Sequence, residues 1–163
     1  MKRLLTMLLG FSLMSGLVVW GQGSYLVRNI GSSMPARRYL CTPLRESRAL
    51  ELDQVVLFPW PEAIQETLAR IAPFVDVALP CLKQVAGLAG DVVCWDADGM
   101  TINARPGYAL PLLARYPIEA PSGCHVVSGT DVFLLGTDPH SFDSRYIGPL
   151  PLTSLQATCR KLW

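Results

Sequence analysis

The stretch Cys81-Leu82-Lys83-Gln84-Val85-Ala86-Gly87-Leu88-Ala89-Gly90-Asp91-Val92-Val93 sets two apolar runs on either side of a Gly-Asp turn. Short apolar, β-branched runs bounded by turn residues read as strands, so Leu82 to Val85 and Val92 to Trp95 are expected to form a hairpin. The same pattern recurs outward from there. Asp53 to Phe58 is an apolar run closed by Pro59 and Pro61 and reads as a buried strand, with further strands expected at Met100 to Ala104 and Asp131 to Leu135. One helix interrupts them. From Glu62 the apolar positions Ile64, Leu68 and Ile71 fall at i, i+4 and i+7, Pro61 suits a first helical position, and Pro73 ends the run. Thirteen prolines and thirteen glycines, mostly outside the apolar runs, punctuate the chain. The expected fold is mainly β: one antiparallel domain with one short helix.

The N-terminus is of another kind. Residues 4–20, LLTMLLGFSLMSGLVVW, carry no charge and follow Lys2 and Arg3. The stretch is just long enough to cross a bilayer, and it also fits a signal peptide with a cationic start. No A-x-A-like pair stands near Gly21, Gly23 and Ser24, which favours a retained anchor. The chain therefore divides into residues 1–23, a membrane anchor or signal segment, and residues 24–163, the folded domain. Positive charge stays on the cytoplasmic side, so the domain is expected on the outer side.

The whole chain has 163 residues, 50% hydrophobic, with 14 Lys+Arg against 13 Asp+Glu. This balance provides no basic footprint for a nucleic acid and excludes a disordered tail or a polytopic transporter. Five cysteines, Cys41, Cys81, Cys94, Cys124 and Cys159, show no C-x-x-C spacing. In an exported domain they read as disulfides rather than metal ligands. Cys81 and Cys94, flanking the expected hairpin, are the first candidate pair, and the odd count leaves a thiol over. A Cys94, Cys124, His125 metal cluster is the weaker alternative.

Most hydrolytic signatures are missing. There is no Walker loop, H-E-x-x-H or G-x-S-x-G, and His140-Ser141-Phe142-Asp143 crowds its triad-type residues too closely. Two features remain. Asn29-Ile30-Gly31-Ser32-Ser33-Met34-Pro35 puts serines in a small-residue turn just beyond the membrane segment, and Lys83 sits within an apolar strand. Burial there disfavours the ammonium form, and a neutral amine can take a proton from a hydroxyl. Such a serine-lysine dyad implies activity that rises toward alkaline pH. Taken singly, a strand lysine usually points to water, and a serine-rich turn is usually just a turn.

Three blocks in order strengthen the pairing. The serine followed by Met and Pro, the lysine strand with its Gly-Asp turn, and Gly136-Thr137-Asp138-Pro139-His140-Ser141-Phe142-Asp143-Ser144-Arg145-Tyr146-Ile147-Gly148 together resemble the bacterial type I signal peptidases, serine-lysine peptidases of family S26. The third block is similar to that family's G-D-N-x-x-S-x-D-S-R-x-x-G box. Within the family, Asn29, Ser33, Pro35 and Tyr39 stand at the spacings of the TraF-type conjugal transfer peptidases, whose chain end the Gly148 to Trp163 segment also resembles.

The resemblance implies Ser33 as nucleophile, Lys83 as general base, Ser141 as the residue that orients the lysine, and Asp143 with Arg145 as the pair that holds the loop. Met34 and Pro35 are expected to contact substrate. The composition does not separate Ser32 from Ser33; the Met34-Pro35 spacing favours Ser33. No cofactor or metal is implied. The implied partners are an exported precursor, pilin-like in the TraF-type subgroup, and the membrane, with the catalytic domain on the periplasmic side of a bacterial inner membrane. A general signal peptidase and a catalytically inactive secretion component are the alternatives. The chain departs from the pattern at Gly31 for Thr, Ala89 for Pro, and Thr137-Asp138 for Asp-Asn. The first leaves the oxyanion hole to backbone N–H groups.

Overall fold

The computed structural model describes residues 23–45, 49–71, 73, 76–105 and 107–162, so the expected membrane segment lies outside the described residues except for Gly23. The elements run β1 (Tyr25–Arg28), β2 (Arg38–Pro43), β3 (Val55–Phe58), α1 (Glu62–Ile71), β4 (Cys81–Gly87), β5 (Val92–Asp96) and β6 (Gly99–Ile102). They continue with β7 (Gly123–Val126), β8 (Asp131–Leu135), α2 (Ser144–Ile147), β9 (Leu150–Pro151), a 3-10 turn at Leu152–Ser154, and β10 (Ala157–Lys161).

Every strand pairing is antiparallel. One sheet has the order β1-β2-β10-β3-β4-β8-β9, and a smaller one the order β6-β5-β7. The uninterrupted apolar character of the central strands follows from burial on both faces. In β8, Val132 and Leu134 join a core with Val56, Phe58, Trp60, Leu68 and Val85, while Phe133 and Leu135 join a second core with Val93, Trp95 and Met100. In β3, Val56 and Phe58 face the first core and Leu57 a third, with Tyr39, Leu82 and Cys159. Each such side chain contributes about 1.5–3 kcal/mol on full burial. The helix α1 packs Leu68 and Ile71 onto the first core.

The expected hairpin is corrected. The turn is present, with Asp91 N–H donating to the Leu88 carbonyl at 3.0 Å and Asp91 Oδ2 accepting from Leu88 N–H at 2.7 Å. The strands it joins do not pair: β4 lies between β3 and β8, and β5 lies between β6 and β7. The chain crosses between sheets here because Gly90 and Val127 tie the turn to the segment after β7, through Gly90 N–H to Val127 O at 2.9 Å and Val127 N–H to Asp91 O at 2.8 Å. Leaving β4, Gly87 lets the backbone approach β8, where an added Cβ would meet the Phe133 Cβ at 3.0 Å.

The expected Cys81–Cys94 pair is corrected for the same reason. Cys41 bonds Cys159 between β2 and β10, and Cys94 bonds Cys124 between β5 and β7, each pair directly opposite in register. Cys81 is the free thiol. With Cys94 and Cys124 joined to each other, the alternative cluster with His125 loses its thiolates; among the described residues no group of three His, Cys, Asp or Glu could hold a metal ion.

Candidate active site

Lys83 extends from β4, opposite Val56 of β3, and is 2% exposed. Its Nζ donates to Ser141 Oγ at 2.8 Å and lies 5.9 Å from the centroid of the Trp60 ring. The salt bridges among the described residues do not involve it. Ser141 belongs to the loop between β8 and α2, and Ser33 belongs to the turn between β1 and β2. Ser33, Lys83 and Ser141 all line one cavity of about 500 Å³ whose apolar walls include Trp60, Leu68 and Ile71. Its size is that of a small-ligand or peptide-side-chain site.

Both loops are held by polar contacts. The Asn29 amide donates to the carbonyls of Gly31, Met34 and Ala36 at 2.9, 3.1 and 3.3 Å, and the Tyr39 hydroxyl accepts from Ala36 N–H at 3.2 Å. From the opposite side, Thr137 donates its N–H and its hydroxyl to the Ser33 carbonyl at 2.8 and 3.2 Å. Ser32 Oγ donates to Asp138 Oδ2 at 2.6 Å. Its hydroxyl is thereby engaged, whereas the half-buried Ser33 hydroxyl makes no hydrogen bond among the described residues. Both serines line the cavity, and they differ in that Ser32 is hydrogen-bonded and Ser33 is not.

Gly136 is the point of closest approach. A Cβ there would overlap the Ser141 side chain and press on the Ser33 carbonyl at 2.9 Å. Behind this loop Asp143 and Arg145 are both buried. Arg145 Nε and Nη2 donate to Asp143 Oδ1 and Oδ2 at 2.8 and 2.6 Å, a bidentate pair. Asp143 also accepts Gly136 N–H at 2.8 Å and caps α2 through Arg145 N–H at 3.1 Å. The guanidinium reaches the carbonyls of Asp138 and Pro139 at 2.9 and 3.0 Å. Trp95 Nε1–H donates to the Arg145 carbonyl at 2.8 Å and joins the loop to the second core.

Two titrating groups beside the site are shifted. Burial pushes the Cys81 thiol up, against the pull of Lys83 two residues along β4, so this cavity-lining cysteine is no ready thiolate. The Ser32 hydroxyl, followed by the His140 backbone N–H, holds the Asp138 carboxyl below its usual value.

Met34 and Pro35 do not line the cavity. Ser33 faces it, and the next residue turns inward: Met34 is 3% exposed and packs with Tyr39 and Leu82, while Pro35 lies on the exposed side of the turn. Met34 and Pro35, expected to contact substrate, thus stand outside the cavity that Ser33 lines. Trp60 and Thr137 were given no role in the sequence reading. Trp60 looks like core in any strand-end position, and a threonine that serves a residue 104 positions away leaves no local trace.

The sequence signature described as signal peptidase, peptidase S26, matches residues 1–163, the full chain. The chain belongs to this family, whose members are serine peptidases acting on exported precursors. A signal peptidase I from Enterococcus faecalis V583 is among the similar solved structures, at 20% identity and a TM-score of 0.40, covering 68% of this chain and 97% of that one. None of the curated proteins matches the chain. Among the described residues no helix is long and apolar enough to cross a membrane.

Proposed function

We propose that the protein is a serine endopeptidase of the signal peptidase I type in which Ser33 is the nucleophile and Lys83 the general base. The observation that carries this reading is the buried Lys83 amine, bonded to Ser141 in the same cavity as a Ser33 hydroxyl that has no hydrogen-bond partner among the described residues. The Lys83 amine takes the Ser33 proton as Oγ attacks the substrate carbonyl. The ammonium then returns that proton to the departing amine, leaving an acyl-enzyme that water resolves. Ser141 orients the amine, and Asp143 with Arg145 holds the loop that carries Ser141. Backbone N–H groups at the turn serve the oxyanion, since Gly31 has no hydroxyl to offer. An extended substrate adds along β1, the edge strand of the larger sheet, whose Val27 and Arg28 line the cavity, and presents small side chains such as alanine before the cut.

The precursor we assign is a conjugative pilin. Support comes from the TraF-type spacing of Asn29, Ser33, Pro35 and Tyr39, and from the use made of that spacing: Asn29 and Tyr39 both bond the backbone of the serine turn. The acyl-enzyme is then open to capture by the substrate's own amino terminus, giving a ring. Residues 1–23 anchor the chain in the inner membrane, and two disulfides suit a periplasmic domain. The family match equally accommodates a general signal peptidase.

Ser33→Ala and Lys83→Arg are each expected to abolish cleavage of an internally quenched peptide with alanine before the cut, while leaving the disulfides and unfolding transition intact. Full cleavage by either variant contradicts the dyad. Mass spectrometry of the pilin from cells with and without the protein separates the precursor readings. A ring is lighter than the linear product by one water, and broad accumulation of unrelated precursors on depletion favours the general enzyme.

A further inference from the structure

The loop that carries Ser141 also grips the nucleophile turn at two adjacent residues, and one of these contacts is made by a side chain that the family pattern does not supply. Thr137 fixes the Ser33 carbonyl, and Asp138 fixes the Ser32 side chain through Oδ2 at 2.6 Å, within the range of a charge-assisted O–H···O⁻ bond. These contacts lie on either side of the Ser33 N–Cα–C unit, so together they set the direction in which its hydroxyl leaves the backbone. Beyond Asp138, Pro139 and His140 lead to Ser141, which lies five residues from Gly136 and holds Lys83. Nucleophile and base are therefore both referenced to one short loop.

We propose that Asp138 is a positioning residue for the Ser33 nucleophile, acting through the Ser32 hydroxyl. The carboxylate is itself held. Its Oδ1 accepts His140 N–H at 2.8 Å and lies 3.4 Å from His140 Nδ1, while Arg145 donates to the Asp138 backbone carbonyl at 2.9 Å. Ser32 therefore finds a fixed acceptor rather than a swinging surface carboxylate. Ser32 lines the same cavity, and its hydroxyl is committed to this bond. The carboxyl is held below its ordinary range by the Ser32 bond, so it is ionised, and the latch closed, at any pH near neutrality. Near-attack geometry is what such a contact supplies. Its loss falls on the chemical step, because the contact sets the direction of the attacking hydroxyl.

This inference rests on the peptidase reading, and the test separates the two. Full-length Asp138→Ala and Ser32→Ala, assayed on the quenched alanine peptide, are each expected to lower kcat by about tenfold to a hundredfold with KM unchanged. The double variant is expected to be no worse than either single one, since both remove the same bond. Asp138→Asn, whose amide oxygen still accepts from Ser32, is expected to restore most of kcat. Crystal structures of Asp138→Ala and Asp138→Asn give a readout independent of cleavage: the Ser32–Ser33 turn shifts in the first and holds its place in the second. Multiplying losses in the double variant, a change in KM alone, or an unmoved turn in Asp138→Ala overturns the latch. Cleavage by Ser33→Ala overturns the assignment of Ser33 as nucleophile instead, and the turn's position in the two crystal structures still decides whether Asp138 holds it.

Discussion

At the scale of single residues, the site depends on how closely two loops approach, and Gly136 is where that approach is tightest. Gly136→Ala inserts a methyl group into the space of the Ser141 side chain and against the Ser33 carbonyl. The expected result is a kcat lower by about a hundredfold, with KM little changed, measured on the quenched peptide. Unimpaired cleavage by this variant would show that the approach is not needed. That Ser33, Lys83 and Ser141 meet in one cavity was legible in the sequence because each sits in a distinctive local context: a small-residue turn, an apolar strand, and a dense polar box. Met34 was expected to contact substrate from the resemblance, and the local sequence carries no sign that it packs inward. In the folded turn, consecutive side chains go to opposite sides, one to the cavity and the next to the core.

At the scale of elements, the β8–α2 loop is held by a buried ion pair that also supplies a helix cap and a backbone contact to Gly136. Removing one partner leaves the other charge buried and alone, a situation that costs about 3–5 kcal/mol. Asp143→Ala and Arg145→Ala are accordingly expected to lower stability by about that much in urea unfolding and to impair cleavage with it. Arg145→Ala with unchanged stability would mean that the loop is held elsewhere. The strands β3 and β8 and the helix α1 were readable from apolar runs and helical spacing, since their cores dictate those patterns. The β4–β5 hairpin was not. A tight turn between two strands reads as a hairpin whether or not they pair, and here the contacts of Gly90 and Asp91 with Val127 send β5 into another sheet. Nothing near residues 81–94 encodes that distant choice.

At the scale of the whole molecule, two disulfides close loops of very different length, with sequence separations of 118 and 30. By loop-closure entropy the first contributes about 5 kcal/mol and the second about 4. The paired Cys41→Ala/Cys159→Ala variant is expected to unfold at lower urea than Cys94→Ala/Cys124→Ala, and the reverse order would contradict this topology. Peptide mapping of the unreduced protein should return a single slowly alkylated thiol, at Cys81, where burial disfavours the thiolate. The pairing was beyond the sequence because cysteine partners are set by strand order, which brings the last strand, β10, between β2 and β3. The central claim is that one hydroxyl, that of Ser33, performs the attack. It is tested most directly by quenching the full-length protein in acid during turnover of the alanine peptide and mapping the acylated residue by mass spectrometry. The account predicts an acyl group on Ser33, absent when Lys83 is replaced by alanine; an acyl group on Ser32 or Cys81, or on Ser33 at an unchanged rate without Lys83, would contradict it.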